Sequence, residues 1–124
     1  MIVKNTASNT IISVNCKTAN TFISRFAGLM GKASLPEGEG LLIMPCNSIH
    51  MFFMKFSLDI VFIDKDNIVI HLIKGIKPWR VSKIVKRAYC ALELPCGTIS
   101  RTEMKVGDRL TFSKLSSEQN LIEV

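Results

Sequence analysis

From Ser48 to Ile73 most residues are β-branched, aromatic or otherwise apolar, and the clear break is Asp64-Lys65-Asp66-Asn67. Two apolar runs divided by a short polar cluster predict a β-hairpin. Along Ile49 to Phe56, one parity carries Ile49, Met51, Phe53 and Lys55, and the other carries His50, Phe52, Met54 and Phe56. A two-residue period then predicts His50 on the more aromatic, inner face. In the second run Asp59, Val61 and Ile63 alternate with Leu58, Ile60 and Phe62, with Asp59 near the strand's start. His50, Lys55 and Asp59 thus sit in an apolar setting, where a polar group needs a partner or a function.

The flanking patterns extend the β reading. Ile12, Val14 and Cys16 alternate with Ser13, Asn15 and Lys17, which predicts one half-buried strand over 11–18. Residues 2–4 form a further short strand, with a turn over 5–10. Phe22, Phe26 and Leu29 then share a stripe at helical spacing, predicting a short amphipathic helix over about 21–30. Asn20 or Thr21 can cap its start and Gly31 suits the left-handed position after its end. Arg25 lies among these apolar positions, so it either snorkels outward or meets a buried carboxylate, Asp59 or Glu93.

Leu41 to Met44 is a short apolar strand ended by Pro45. In the strand 88–94, Cys90, Leu92 and Leu94 alternate with Tyr89, Ala91 and Glu93. Residues 99–104 can form one helical turn, 109–113 a strand, and 116–124 a frayed end or an edge strand. Seven or eight short strands with turn signals between them predict a mainly β fold, an antiparallel sandwich or jelly-roll-like barrel with one short helix. Strand and helix do not alternate, which argues against a parallel α/β sheet. At 124 residues the length is that of a single domain, 1–124.

Composition narrows the class. With 48% hydrophobic and 21% charged residues the chain is globular rather than disordered. No apolar run is long enough to span a bilayer and the N-terminus has no apolar signal core, so a cytoplasmic protein without a membrane partner is expected. The net charge is +6, and Lys74, Lys77, Arg80, Lys83, Lys86 and Arg87 fall within one stretch, 74–87. That stretch is either a solvated loop or the seat of an anionic partner. Nucleic acid is disfavoured, because Trp79 has no aromatic neighbours in the sequence for base stacking.

Several stretches resemble the bacterial and archaeal family catalogued as domain of unknown function one-nine-two. They are Arg25–Met30, Gly40–Ile43, Ile49–Asp64, Pro78-Trp79, Ala91–Thr98 and Gly107-Asp108. They run in the family's order over roughly residues 11–113. The chain departs from the pattern at Ser57, where proline is common, and at Phe53 and Cys96, where small residues are common. The resemblance implies a compact, mainly β sandwich of jelly-roll type and no particular activity.

Three groups could carry chemistry. His50 with Asp59 or Glu93 could run acid–base reactions in a small hydrolase or isomerase, since a carboxylate can orient an imidazole that titrates near neutrality. The same residues, with Arg25, equally suit an ion-paired brace between helix and sheet. A metal set would need Cys46, His50, Cys90 and Cys96, but their spacing is not that of zinc knuckles, and no metal or cofactor is expected. Cys46 as a nucleophile near His50 would require a thiolate-stabilising setting. The favoured reading is a module binding a small molecule or peptide near His50, Met54, Arg25 and Trp79. The remaining alternative is a structural or partner-binding domain without a ligand site.

Overall fold

The computed structural model describes residues 1–114. Eight strands and two short helices follow one another as β1 (Ile2–Asn5), β2 (Thr10–Ser13), β3 (Asn15–Ala19), α1 (Phe22–Ala27), β4 (Glu39–Ile43), β5 (Leu58–Ile63), β6 (Val69–Ile76), β7 (Cys90–Pro95), α2 (Thr98–Thr102) and β8 (Leu110–Ser113). They build a three-stranded sheet in the order β2-β1-β8 and a five-stranded sheet in the order β3-β4-β7-β5-β6. The fold is mainly β, two layers of sheet rather than a closed barrel. The predicted strand at 116–124 lies outside the described residues.

The run expected as one strand over 11–18 is two. It breaks at Val14, which is exposed, while β2 joins one sheet and β3 the other. Gly38 makes the corner: its carbonyl accepts from the Val14 and Asn15 amides at 2.9 and 3.0 Å. The apolar alternation of Ile12, Val14 and Cys16 in the sequence runs straight across the bend, although the structure exposes Val14 and buries Ser13, so periodicity alone does not reveal it. After this corner β3 and β4 pair in parallel, with α1 inside the crossover between them. The expectation of a wholly antiparallel sheet is therefore corrected at this one pair; every other strand pair is antiparallel.

The central strands β4, β7 and β5 of the five-stranded sheet are buried on both faces, and all six residues of β5 are buried. One face packs Val61, Ile63, Leu92 and Leu94 against Val3, Ile12 and Leu110 of the smaller sheet. The opposite face packs Leu41, Ile43, Ile60, Phe62 and Ala91 against Leu29, Ile49, Met51, Met54 and Val85, which come from irregular segments. This layer of loops occupies the place where a second sheet would lie, and the candidate residues gather beneath it.

The segment 49–56, expected as a strand, is instead a turn. It pairs with the 77–89 connection in one β-bridge, His50 to Val81, flanked by backbone hydrogen bonds of Ile49 and Met51 to Ser82, Arg80 and Trp79. Phe53 adopts φ 61° and the Met54 amide donates to the Met51 carbonyl at 3.3 Å, which closes the turn and ends any extended run. Ile49, Met51 and Met54 face the core, whereas Phe52 and Phe53 are exposed. The expected inner placement of His50 is thereby corrected: it is half-buried at the surface of the loop layer. Lys55 points to solvent.

Candidate functional site

Helix α1 starts at Thr21, whose side chain accepts from the Ser24 amide while the Ser24 hydroxyl accepts from the Thr21 amide, a reciprocal capping box. It ends at Gly28, whose φ of 48° and ψ of −122° place it where other residues rarely go. Six residues is short for the predicted stripe, and no helical residue is buried. Phe22, Ile23 and Phe26 are 76, 78 and 57% exposed, and Leu29, just beyond the helix, is the stripe's one anchor in the core. Phe22 and Phe26 instead wall a cavity.

That cavity, of about 430 Å³, lies between α1 and the turn after β4, and is bordered by Phe22, Arg25, Phe26, Ile43, Cys46 and Ala88. A smaller one of about 30 Å³ adjoins it and shares Arg25, Phe26, Ile43, Cys46 and Ser48 with it. The smaller cavity also reaches Gly28, Met54, His50 and Glu93. Arg25, His50, Met54 and Glu93, four of the residues singled out by the sequence, therefore meet at one place.

Each is held differently. Glu93 stands on β7 opposite Ile60 of β5, on the face covered by loops. It is 4% exposed, and burial pushes its carboxyl up to about 8, so it is a neutral acid at pH 7. Its Oε1 is buried without a hydrogen-bond partner among the described residues, and so is the Nε of Arg25. Arg25 does not snorkel freely: its Nη1 donates to the Pro45 carbonyl at 3.2 Å, and both residues line the larger cavity. No ion pair joins Arg25 to Glu93 or Asp59; among the described residues the one salt bridge is Arg101 to Glu37, 3.3 Å. The expected helix-to-sheet brace is thus corrected, with a carbonyl in place of a carboxylate.

Both ring nitrogens of His50 are engaged by backbone. Nδ1 lies 3.3 Å from the Phe52 amide, which can only donate, so Nε2 carries the proton and donates to the Phe26 carbonyl at 3.1 Å. The ring ties α1 to the 49–56 turn and leaves neither nitrogen free to exchange a proton with a ligand.

Asp59 does not belong to this site. It pairs with Leu94, and so projects to the face opposite Glu93. Its oxygens accept from the amides of Gly75 at 2.9 Å, Gly97 at 3.1 Å and Ile99 at 2.8 Å. It fastens α2 and the end of β6 to β5, and the His50–Asp59 acid–base pair is corrected on that ground. Trp79 also stands outside the cavities: it is 59% exposed, at φ 69°, with its ring 4.9 Å from that of Phe53 and 6.2 Å from that of Phe52.

All four cysteines are free thiols. Burial raises the Cys46 thiol and Glu93 adds to that, while backbone hydrogen bonding at Ser48 and the charge of Arg25 oppose it. Burial lifts Cys16 and Cys90 to about 11. None of these three has the lowered value of an activated nucleophile. Among the described residues no group of three His, Cys, Asp or Glu lies close enough together to hold a metal ion.

Gly28, Ile43, Cys46 and Ser48 complete the cavity walls, and the sequence reading assigned none of them to a pocket. Two signals were available: Gly28 follows a capped apolar helix, and Pro45 forces a turn next to Cys46.

Residues 3–112 match the DUF192 family, described as uncharacterized ACR. The chain belongs to this family. Among its relatives, a UPF0127 protein of Pyrococcus furiosus is 30% identical over 109 residues, covering 84% of this chain and 91% of the relative. A UPF0127 protein of Thermococcus kodakarensis is 30% identical over 113 residues, covering 87% and 71%. A solved protein of unknown function from Novosphingobium aromaticivorans shares the fold with a TM-score of 0.78 at 22% identity, over 90% of this chain and 82% of that one. At that identity the likeness extends to the fold and no further. Among the described residues no helix is long and apolar enough to cross a membrane.

Proposed function

We infer that the chain is a small-molecule binding module whose ligand has an apolar body and a carboxylate head. One observation carries the reading: two polar atoms, Arg25 Nε and Glu93 Oε1, are buried beside the joined cavities without partners among the described residues. Leaving such atoms unpaired costs about 1–3 kcal/mol each, more when charged. A ligand that pairs them recovers that cost. Arg25 is a fixed donor, and Glu93, protonated at neutral pH, is a second. A carboxylate has an acceptor oxygen for each. The apolar body fits between Phe22, Phe26, Ile43 and Ala88. The four unpaired thiols agree with a cytoplasmic setting.

An acid–base enzyme using Glu93 with His50 has less support. Glu93 is a neutral acid held near working pH, but the hydrogen bonds of His50 are both spent on backbone.

The test is calorimetric titration with hexanoate, beside native mass spectrometry of protein purified from its own cells for a retained ligand. Hexanoate should bind at pH 6.5 and weaken at least ten-fold by pH 9, where the ionised Glu93 repels it. Glu93→Gln should bind at both pH values, because the amide remains a donor. Failure of hexanoate and of the longer octanoate to bind at pH 6.5 would overturn the reading.

A further inference from the structure

The loop layer over the five-stranded sheet has an outer side that meets the ligand cavity at Phe26 and His50 and extends beyond it to Phe52, Phe53 and Trp79. We propose that this side docks on an anionic lipid bilayer.

The first observation is a continuous row of aromatic rings at the surface. Phe26 lies 5.1 Å from His50, His50 5.1 Å from Phe52, Phe52 6.2 Å from Trp79, and Trp79 4.9 Å from Phe53, all between ring centroids. Phe26, Phe53 and Trp79 are each more than half exposed. Phe53 and Trp79 occupy the left-handed backbone region at the tips of two turns, φ 61° and 69°. Bulky side chains pay for that conformation, about 1–2 kcal/mol each, and gain no burial in return. The turns are locked together by hydrogen bonds from the Met51 amide to the Arg80 carbonyl and from the Trp79 amide to the Met51 carbonyl, 2.7 and 2.8 Å. The rings are held out into water by a rigid frame.

The second observation is charge. The segments 20–36, which includes α1, 44–57 and 77–89 hold eight of the sixteen Lys and Arg residues and none of the ten Asp and Glu. Arg80 adjoins Trp79, and Lys77 and Lys55 lie two residues from Trp79 and Phe53; all three are exposed. Aromatic tips interleaved with basic residues are the composition that settles at an anionic lipid surface, with rings at the acyl boundary and cations among the headgroups.

The same residues fit the other anionic partners less well. Protein interfaces are depleted of lysine at their centres, whereas lysine dominates here. Ile23, Val81 and Ile84 are 78, 59 and 69% exposed on these segments, and aliphatic side chains offer nothing to stack on a nucleic-acid base. A bilayer accepts both.

Trp79 is the chain's one tryptophan, so its fluorescence reports the site directly. Vesicles of equimolar phosphatidylglycerol and phosphatidylcholine should shift its emission to the blue and co-sediment with the protein; pure phosphatidylcholine should do neither. Lys77→Gln with Arg80→Gln should weaken partitioning by about 25-fold, near five-fold per charge. Both side chains are solvated, so folding is retained. Phe53→Asn should weaken partitioning with the melting temperature held, since asparagine takes a positive φ readily. The proposal is overturned by an unshifted spectrum with anionic vesicles. It is equally overturned if partitioning is full in Phe53→Asn, or if a single-stranded oligonucleotide or polyglutamate produces the blue shift and vesicles do not.

Discussion

The Nε2 of His50 donates to the backbone carbonyl of Phe26 across 3.1 Å, and this is the tie between α1 and the turn that carries Phe52 and Phe53. No residue of α1 is itself buried, so the tie replaces the apolar packing that normally seats a helix. His50→Ala should lower stability by roughly 1–3 kcal/mol, the worth of its two hydrogen bonds and its ring contacts. His50→Gln should recover part of that, since its amide offers both donors and an acceptor. Thermal unfolding of both variants checks this. A melting temperature unchanged in His50→Ala would show that α1 is seated by something else.

Glu93 makes stability depend on pH in a definite direction. Its folded value, about 8, lies above the ordinary carboxylate range because burial disfavours the charge. Between about pH 4.5 and 8 the folded chain therefore holds a proton that the unfolded chain has released. Stability falls as pH rises through that window and levels off above it. Glu93→Gln removes the titrating group, so the gap in melting temperature between Glu93→Gln and the natural chain should widen steadily from pH 5 to pH 8.5. A gap that is constant over this range would mean that Glu93 ionises in the folded state without penalty.

How far the sequence reveals this site depends on the source of each constraint. The parity of β7 places Glu93 opposite Leu92 and Leu94 in the sheet, and the polar break at 64–67 marks the β5–β6 turn; both are local and were legible. The conversion of 49–56 from strand to turn was not, because its apolar residues alternate as a strand's would. The turn at Phe53 is anchored through Met51, whose backbone bonds residues 79 and 80, which are distant in sequence. Asp59 and Glu93 looked like two acids beside one histidine, and only the register of β5 against β7 shows that they face opposite ways. Arg25 illustrates the same point, since its partner is a backbone carbonyl that no side-chain pattern encodes.

Asp59 joins three separate segments, through amides at 75, 97 and 99. Asp59→Ala leaves all three donors unpaired where Asp59 was 1% exposed, and should cost about 3 kcal/mol or more. Asp59→Asn keeps the shape but turns a donor toward at least one amide, that of Gly75 in its better orientation, so it should also destabilise, though less than Asp59→Ala. Hexanoate affinity should be unchanged in whatever fraction stays folded, because Asp59 is on the far side of the sheet. Loss of affinity out of proportion to the unfolded fraction would contradict this division of roles.

Gly28 separates the demands of backbone from those of the cavity. At φ 48° and ψ −122° an alanine is strained by about 1–3 kcal/mol, and its Cβ would stand 3.6 Å from Glu93 Oε1, at the wall of the smaller cavity. Gly31 is the control: at φ 79° it too favours glycine, but a Cβ there meets nothing within 4 Å. Both Gly28→Ala and Gly31→Ala should therefore lower the melting temperature. Only Gly28→Ala should also weaken hexanoate, because the added methyl group takes space beside the carboxyl that would hold the ligand's head. Parallel melting curves and titrations decide it: equal affinity in the two variants would place the ligand elsewhere than against Glu93.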